Sequence, residues 1–459
     1  MVVARSSSSP KEREPLPKGF WTLWSTVAVD LVGFGIVLPI LPQYAESFGA
    51  TPAVIGVLVA SFSLAQLVFA PIWGRLSDKV GRKPVLIISL FGTAIGSLLT
   101  GLAGSLALLF AARILDGASG ASVSVAQASA ADLAPPRQRA KLMGLLGAAF
   151  GVGFVAGPAL GALGSKAGIH VPFFLAAAIS FVNALVAIVR LPETSPAKLA
   201  SRAAADRGAA ATVAAADRSA VVEVVDEAEV DADRIAAAPA LDGPGIVEPG
   251  HLEEPVPVGA GQAAHAAGGG ARDHLGAESS VGVDVRGIIR LIVVAFVAMI
   301  AFAGFEATFA LLGDRRFGFD QATTGMVFAG IGLALVAVQG GMVGPVSQAL
   351  GESTVLRVGL VANAVGLGVL AIDGGWTTLL VALLLLVVGQ GLLTPTLSSA
   401  VAGRAGRQPG QWLGWQQSAG GLARVAGPVA AGVLFEQVGI AAPYVVGAVL
   451  VLVALALVP

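Results

Sequence analysis

Apolar residues run through this chain in blocks of about twenty, each closed by a short polar stretch. The blocks fall at 20–44, 52–74, 84–103, 106–132, 140–163, 171–191, 287–313, 322–347, 354–372, 377–403, 411–435 and 440–459. That length carries a helix across the hydrocarbon of a bilayer, and the blocks lack the two-residue alternation of a transmembrane strand. Pro39, Pro71, Pro158, Pro395 and Pro428 lie inside blocks. Neighbouring helices satisfy the backbone groups that a proline frees, so these residues do not argue against helix. The pattern predicts an all-α membrane protein with twelve transmembrane helices.

Between the sixth and seventh blocks the texture changes. Residues 192–286 are dominated by Ala and Gly, carry more acids than bases and have no aromatic side chain, as in SRAAADRGAAATVAAADRSAVVEVVDEAEVDADR. Such a stretch cannot bury enough apolar surface to offset its ordering entropy. It reads as a disordered cytoplasmic linker, with a transient helix near Thr212–Arg234. The expected organisation is therefore a polar N-terminal tail at 1–19, a first helical bundle at 20–191, this linker, and a second bundle at 287–459.

Composition agrees with the pattern and excludes other classes. Of 459 residues, 55% are apolar and 12% charged, about half the charged share of a soluble domain. A net charge of −1 gives no reason to expect a nucleic-acid partner. With no cysteine in the chain, disulfides and thiolate metal sites are ruled out. His170, His251, His265 and His274 lie outside the blocks, save His170 at an edge, and no phosphate-binding G-x-x-x-x-G-K-[ST] loop occurs. No metal site, cofactor or enzymatic constellation is expected. Lys11, Arg13, Lys18, Arg75, Lys79, Arg82, Lys83, Arg137, Arg139, Lys141, Arg404 and Arg407 fall on one side of the predicted membrane. Lys166, Arg315 and Arg316 fall on the other. The excess of short-loop cations places both termini in the cytoplasm of a multi-pass cell-membrane protein.

Residues 73–86, WGRLSDKVGRKPVL, align with 343–356, VGPVSQALGESTVL, at an offset of 270. Gly74 meets Gly344, Ser77 meets Ser347 and Gly81 meets Gly351. The same offset lays GLLGAAFGVGFVAGP (144–158) on GWQQSAGGLARVAGP (414–428). Six blocks separate the copies, so the halves share one orientation and form a parallel duplication. In proteins built this way, substrate binds near the midplane where the halves meet.

Ionisable side chains at bilayer depth are costly and mark function by default. Asp30 sits mid-block in the first helix; Arg113 and Asp116 share a face of the fourth, continued by Gly120, Ser124 and Gln127; Glu306 and Arg424 lie in the seventh and eleventh. Two readings stay open for the Arg113–Asp116 pair: a local salt bridge, or a proton acceptor whose occupancy alternates with substrate. Asp30 is a second proton site, a partner for a cationic substrate, or a carboxylate paired with Arg424 or Arg113. Gln339, Gln390, Gln416 and Gln417 line a cavity or glue helices together. Gly153, Gly157, Pro158, Gly427 and Pro428 allow close packing and bending in the fifth and eleventh helices.

Three stretches resemble the major facilitator superfamily, and more narrowly its twelve-span drug–proton antiporters. The loop pattern G-x-L-a-D-r-x-G-r-k-x-x-l is matched by Gly74, Leu76, Ser77, Asp78, Lys79, Gly81, Arg82, Lys83 and Leu86. The fifth-helix pattern g-x-x-x-G-P-x-x-G is matched by Gly153, Gly157, Pro158 and Gly161. Arg113, Asp116 and Gly117 match R-x-x-q-G, with Asp116 where the family usually has Gln. The first block, GFGIVLPILPQY, is similar to tetracycline-type efflux pumps. The resemblance implies two pseudo-symmetric six-helix bundles and a secondary transporter, working as a monomer in the lipid bilayer. It would export a small amphipathic compound in exchange for protons, with protons as the only coupling species. A facilitator for a sugar or metabolite and a non-transporting sensor remain alternatives. The resemblance also implies a latch in the loop at Gly81: Asp78 would pair at the inner end of the eleventh helix and Arg82 with Asp132. In the second copy Gln348 and Glu352 replace Asp78 and Arg82, so the latch would be one-sided.

Overall fold

Thr51, Ser105, Asp284 and Asp320 each turn a side-chain oxygen onto the amide three residues on, so four of the helices begin at capped ends. The computed structural model of the protein describes residues 16–135, 138–196, 198–201, 204–205, 207, 283–406 and 409–459. Residues 1–15 of the expected N-terminal tail, Arg137, Arg407 and the proposed Thr212–Arg234 helix lie outside the described residues, as does most of the central linker.

The helices are α1 (Phe20–Val37), α2 (Leu41–Glu46), α3 (Pro52–Val80), α4 (Arg82–Gly101), α5 (Leu106–Ser119), α6 (Ser122–Leu133), α7 (Arg139–Ser165), α8 (Val171–Arg190), α9 (Val285–Phe317), α10 (Gln321–Ala337), α11 (Val343–Leu350), α12 (Glu352–Ala371), α13 (Trp376–Arg404), α14 (Pro409–Gln437) and α15 (Ala442–Leu455). Among the described residues, eleven helical segments are long and apolar enough to cross a membrane, and α15 is a shorter twelfth.

The first predicted block, 20–44, divides. Helix α1 ends at Val37, a turn carries Pro39, and α2 begins at Leu41, because proline has no amide to continue the ladder. The fourth block divides at Gly120–Ala121 into α5 and α6. The eighth holds a π-helical segment, Val338–Met342, across the Gly340–Gly341 pair between α10 and α11. Helix α9 starts at Val285, ahead of the predicted 287, because Asp284 caps it.

Backbone geometry repeats the duplication seen in the sequence. Gly81 (φ 114°, ψ 157°) and Gly351 (φ 77°, ψ 154°) each end one helix and begin the next, at a φ that favours glycine. A side chain on Gly157 would strike the Gly35 backbone of α1, and one on Gly427 would strike the Ile300 carbonyl of α9. One residue on, the Pro158 carbonyl faces Gly325 of α10, and the Pro428 carbonyl faces Gly56 of α3. Helices α7 and α14 thus meet the first helix of their own half through glycine. They meet the second helix of the other half through the proline carbonyl.

These crossings run along one end of the molecule only. Helix α3 touches α14 from Pro52–Gly432 to Leu67–Gly421, and α7 touches α10 from Ala162–Gly325 to Gly151–Val336. Beyond those limits Gly144, Gly147, Gly340, Gly341, Gly344 and Gly414 have open space where a side chain would be. The two halves therefore close at the face carrying Gly49 and Gly318 and splay at the face carrying Gly81 and Gly351. A buried cluster including Ile36, Ile40, Tyr44, Phe173, Phe305 and Phe309 spans both halves, and a second, including Leu23, Val27, Leu86, Val125 and Leu142, belongs to the first half alone.

Candidate functional site

Glycines bring the charged residues of the first half together. Gly96 lets α4 lie on Asp116, where a Cβ would sit 2.6 Å from the Asp116 Cβ, and Gly117 lets α5 lie on the Phe62 backbone of α3. Arg113 and Asp116, only 3% and 5% exposed, form an ion pair with Nη1–Oδ2 at 2.7 Å. The Arg113 guanidinium stacks over the Phe62 ring at 4.4 Å, and its Nε has no partner.

Asp30 of α1, 7% exposed, lies within reach of the Asp116 charge. It is paired with neither Arg424 nor Arg113, because Arg113 is already committed to Asp116. Instead the Ser122 hydroxyl donates to its Oδ2 at 2.5 Å, and its Oδ1 is buried without a partner. Ser122 is the first residue of α6, so the polar seam expected through Gly120, Ser124 and Gln127 is interrupted by the helix break. Ser124 is exposed and Gln127 half-buried. When ionised, two carboxylates and one guanidinium leave one uncompensated negative charge in a dry site. The site is built to take up one proton or one cationic group.

In the second half Glu306 is half-buried on α9 and Arg424 is exposed on α14. The Arg424 charge acts on Glu306, with no contact short enough to be an ion pair. Gln390 is buried and accepts from Asn363 Nδ2 at 3.2 Å, while Gln416 donates to Ser398; Gln339 and Gln417 are exposed. Gln390 also borders a small apolar cavity with Phe302, Phe305, Ile331 and Leu386. Among the described residues no cluster of His, Asp and Glu is arranged to hold a metal ion.

At the open face, Arg82 Nε contacts Asp132 Oδ2 at 2.9 Å and Arg82 Nη1 contacts Asp78 Oδ1 at 2.7 Å. Asp78 does not pair with the end of the eleventh span: it is 63% exposed, and the splayed face puts nothing beside Gly74 or Gly414. The residue that sequence reasoning missed is Glu193. Its Oε1 accepts from the amides of Arg82 (2.8 Å), Thr194 (3.0 Å) and Ser195 (2.9 Å), and its Oε2 from that of Lys83 (3.3 Å). It caps α4, and a side chain on Gly81 would strike its carboxylate. Its signal was its place as the first carboxylate after the sixth block. In the second copy Glu352 accepts from Ser399 at 2.6 Å, a different bond at the matching position.

At the closed face, contacts join residues far apart in sequence. Gln43 Nε2 donates to the Phe319 carbonyl at 2.9 Å, Glu46 pairs with Arg315 at 3.6 Å, Arg315 stacks on Phe435, and Glu436 accepts from the Ala53 amide at 3.0 Å. Burial pushes the Glu46 carboxyl above its ordinary range; Arg315 pulls it down and Asp314 adds to the rise. A raised value means that this face holds the proton more tightly than a solvated carboxyl does, so if opening returns Glu46 to water, closure is favoured as pH falls through that value. Desolvation here outweighs the ion pair, so Glu46→Gln is expected to leave this face closed, whereas Gln43→Ala loosens it. With no native cysteine, spin labels on Ser47→Cys and Val438→Cys read the distance directly. A longer distance in Glu46→Gln would show that the pair, not burial, dominates.

The family model for the Major Facilitator Superfamily matches residues 23–337 and 291–459. The chain is 29% identical over 415 residues to the Tetracycline resistance protein, class E, of Escherichia coli, covering 89% of this chain and 86% of that protein. It is 24% identical over 426 residues to Multidrug resistance protein 2 of Bacillus subtilis, covering 91% and 88%. Its fold is similar to the crystal structure of the human organic anion transporter MFSD10, with a TM-score of 0.63 and 24% identity over 98% of this chain and 100% of that one.

Proposed function

We propose that this chain, which belongs to the Major Facilitator Superfamily, exports a small amphipathic compound in exchange for protons by alternating access. The observation that carries the reading is the buried set Asp30, Arg113 and Asp116, two carboxylates against one guanidinium beside the junction of the halves. One proton satisfies that charge, and a substrate that displaces it completes an exchange. Similarity to proteins named for tetracycline and multidrug resistance supports a drug-like substrate. The halves, in contact at one end and splayed at the other, supply a state open to one side only. The positive loops assign the open face to the cytoplasm, together with both termini. The protein works as a monomer without cofactor, catalytic group or nucleic-acid partner, and Glu306 with Arg424 forms the second charged position of the path.

The test uses proteoliposomes with an imposed proton gradient. Compounds are chosen first from an antibiotic and dye resistance panel in an expressing strain. Adding substrate is expected to move protons, and Asp30→Asn or Asp116→Asn to cut that movement at least tenfold, about 1.4 kcal/mol of coupling. Unchanged coupling in both variants removes the proton-site assignment.

A further inference from the structure

We propose that Ser122 is a positioning residue and α6 a lever: the hydroxyl ties the charge state of Asp30 to the loop at Gly81. This rests on the proton-exchange reading of the same site. Helix α6 is short, and each end of it is bound through a side chain. Ser122, its first residue, donates to Asp30 of α1. Asp132, next to its last residue, holds Arg82, which in turn holds Asp78 and donates to the Ser77 hydroxyl at 2.6 Å. The two ends are ten residues apart, about 15 Å at 1.5 Å per residue.

The break in front of Ser122 frees α6 from α5. Gly120 leaves helical geometry at ψ 51°, and side chains of neighbouring helices hold the gap: Ser89 of α4 donates to the Ser119 carbonyl and accepts from the Ala121 amide, and Gln66 of α3 donates to the Gly120 carbonyl at 3.0 Å. A helix separated from its predecessor by a break in helical geometry and pinned through a side chain at each end moves as a unit when either pin changes. The Asp30 pin changes with charge. A carboxylate accepts from the Ser122 hydroxyl in a charge-assisted bond, roughly twice as strong as a neutral one. A protonated Asp30 carries a donor of its own, so the hydroxyl must turn and the link to α1 weakens. The buried Oδ1 without a partner is where that proton has room.

The groups facing Asp30 are few. The Asp116 charge, itself paired with Arg113, acts on it from α5, and Ser122 approaches from α6. The other helices packed on α1, α7 and α8, carry ionisable residues only at their ends: Arg139, Lys141 and Arg190. Proton binding at Asp30 therefore has one mechanical outlet, through Ser122.

The experiment uses the full chain in lipid nanodiscs, with spin labels on Val80→Cys and Leu350→Cys, both exposed at the open face. In the otherwise native chain the label distance is expected to switch with pH. Ser122→Val is expected to move the midpoint of that switch up by about one pH unit, since a donor that favours the carboxylate is gone. Ser122→Thr, of the same shape with the hydroxyl kept, is expected to restore it. Sites this far apart ordinarily have additive effects. Ser122→Val combined with Asp132→Asn is expected to be non-additive, the double variant shifting no further than the larger single one. Additive shifts, or equal midpoints for Val and Thr, overturn the lever while leaving proton exchange intact. A distance that ignores pH in the native chain overturns both.

Discussion

Arg113→Ala is expected to destabilise the protein by about 3–5 kcal/mol, the cost of leaving a buried charge uncompensated, and to abolish transport. The guanidinium is almost wholly buried, paired with Asp116 at 2.7 Å and stacked on Phe62, so its loss strands one carboxylate beside another. A salt bridge that merely neutralises two charges and one that binds a coupling proton predict the same loss here. The double variant Arg113→Met, Asp116→Leu separates them. Replacing a buried ion pair by apolar side chains of similar volume is often neutral or stabilising, so thermal unfolding in detergent is expected to return to the native midpoint. If the pair is structural, transport returns with stability. We expect stability without transport, because the doubly apolar site has lost one of its two proton acceptors. Recovery of proton-coupled transport in the double variant assigns the pair to packing.

The twelve spans, the duplication and the buried charges were legible because each follows from local sequence: block length, a fixed offset, a carboxylate among apolar residues. The partners of those charges were less so. Arg82 and Asp132 could be matched through a known loop pattern, and they meet. Asp30 with Ser122 could not, because the pairing depends on the break at Gly120, which no hydrophobic period marks inside a continuous apolar block. Glu193 was hidden in a stretch whose composition argued for disorder, although one carboxylate with four amides in reach is a local cap. Gln43 and Phe319 are 276 positions apart, and only the closure of one face brings them together. Asp78 shows the same limit from the other side. Its expected partner on the eleventh helix requires a closed face, and that face is open. Sequence reports which residues can gate the molecule, while their partners depend on the state adopted.

That dependence sets the second large effect. Gly56→Val combined with Gly332→Val is expected to shift the protein out of the state described and to stop turnover. A Cβ at Gly56 would overlap the Pro428 carbonyl of α14, and one at Gly332 the Phe154 carbonyl of α7. Both obstacles are backbone, so no side chain can swing aside, and overpacking of this kind costs about 1–3 kcal/mol per site. The two crossings are on different helix pairs, so their costs add to about 2–6 kcal/mol. A shift of that size changes the ratio of closed to open forms by a factor of about thirty at the low end. The closed-face labels on Ser47 and Val438 are then expected to separate, while the protein still inserts and resists heat. Gly344→Val is the counterpart. Gly344 has no neighbour within 4 Å in this state and lies at the open face, on the same side of the waist as Gly144 and Gly147. Bulk there leaves the present form untouched and obstructs the other, so the closed-face distance is expected to stay short at every pH. Both variants lose transport, and they lose it from opposite conformations. If the two give the same label distance, the glycines set packing alone and the halves do not exchange contacts across the waist.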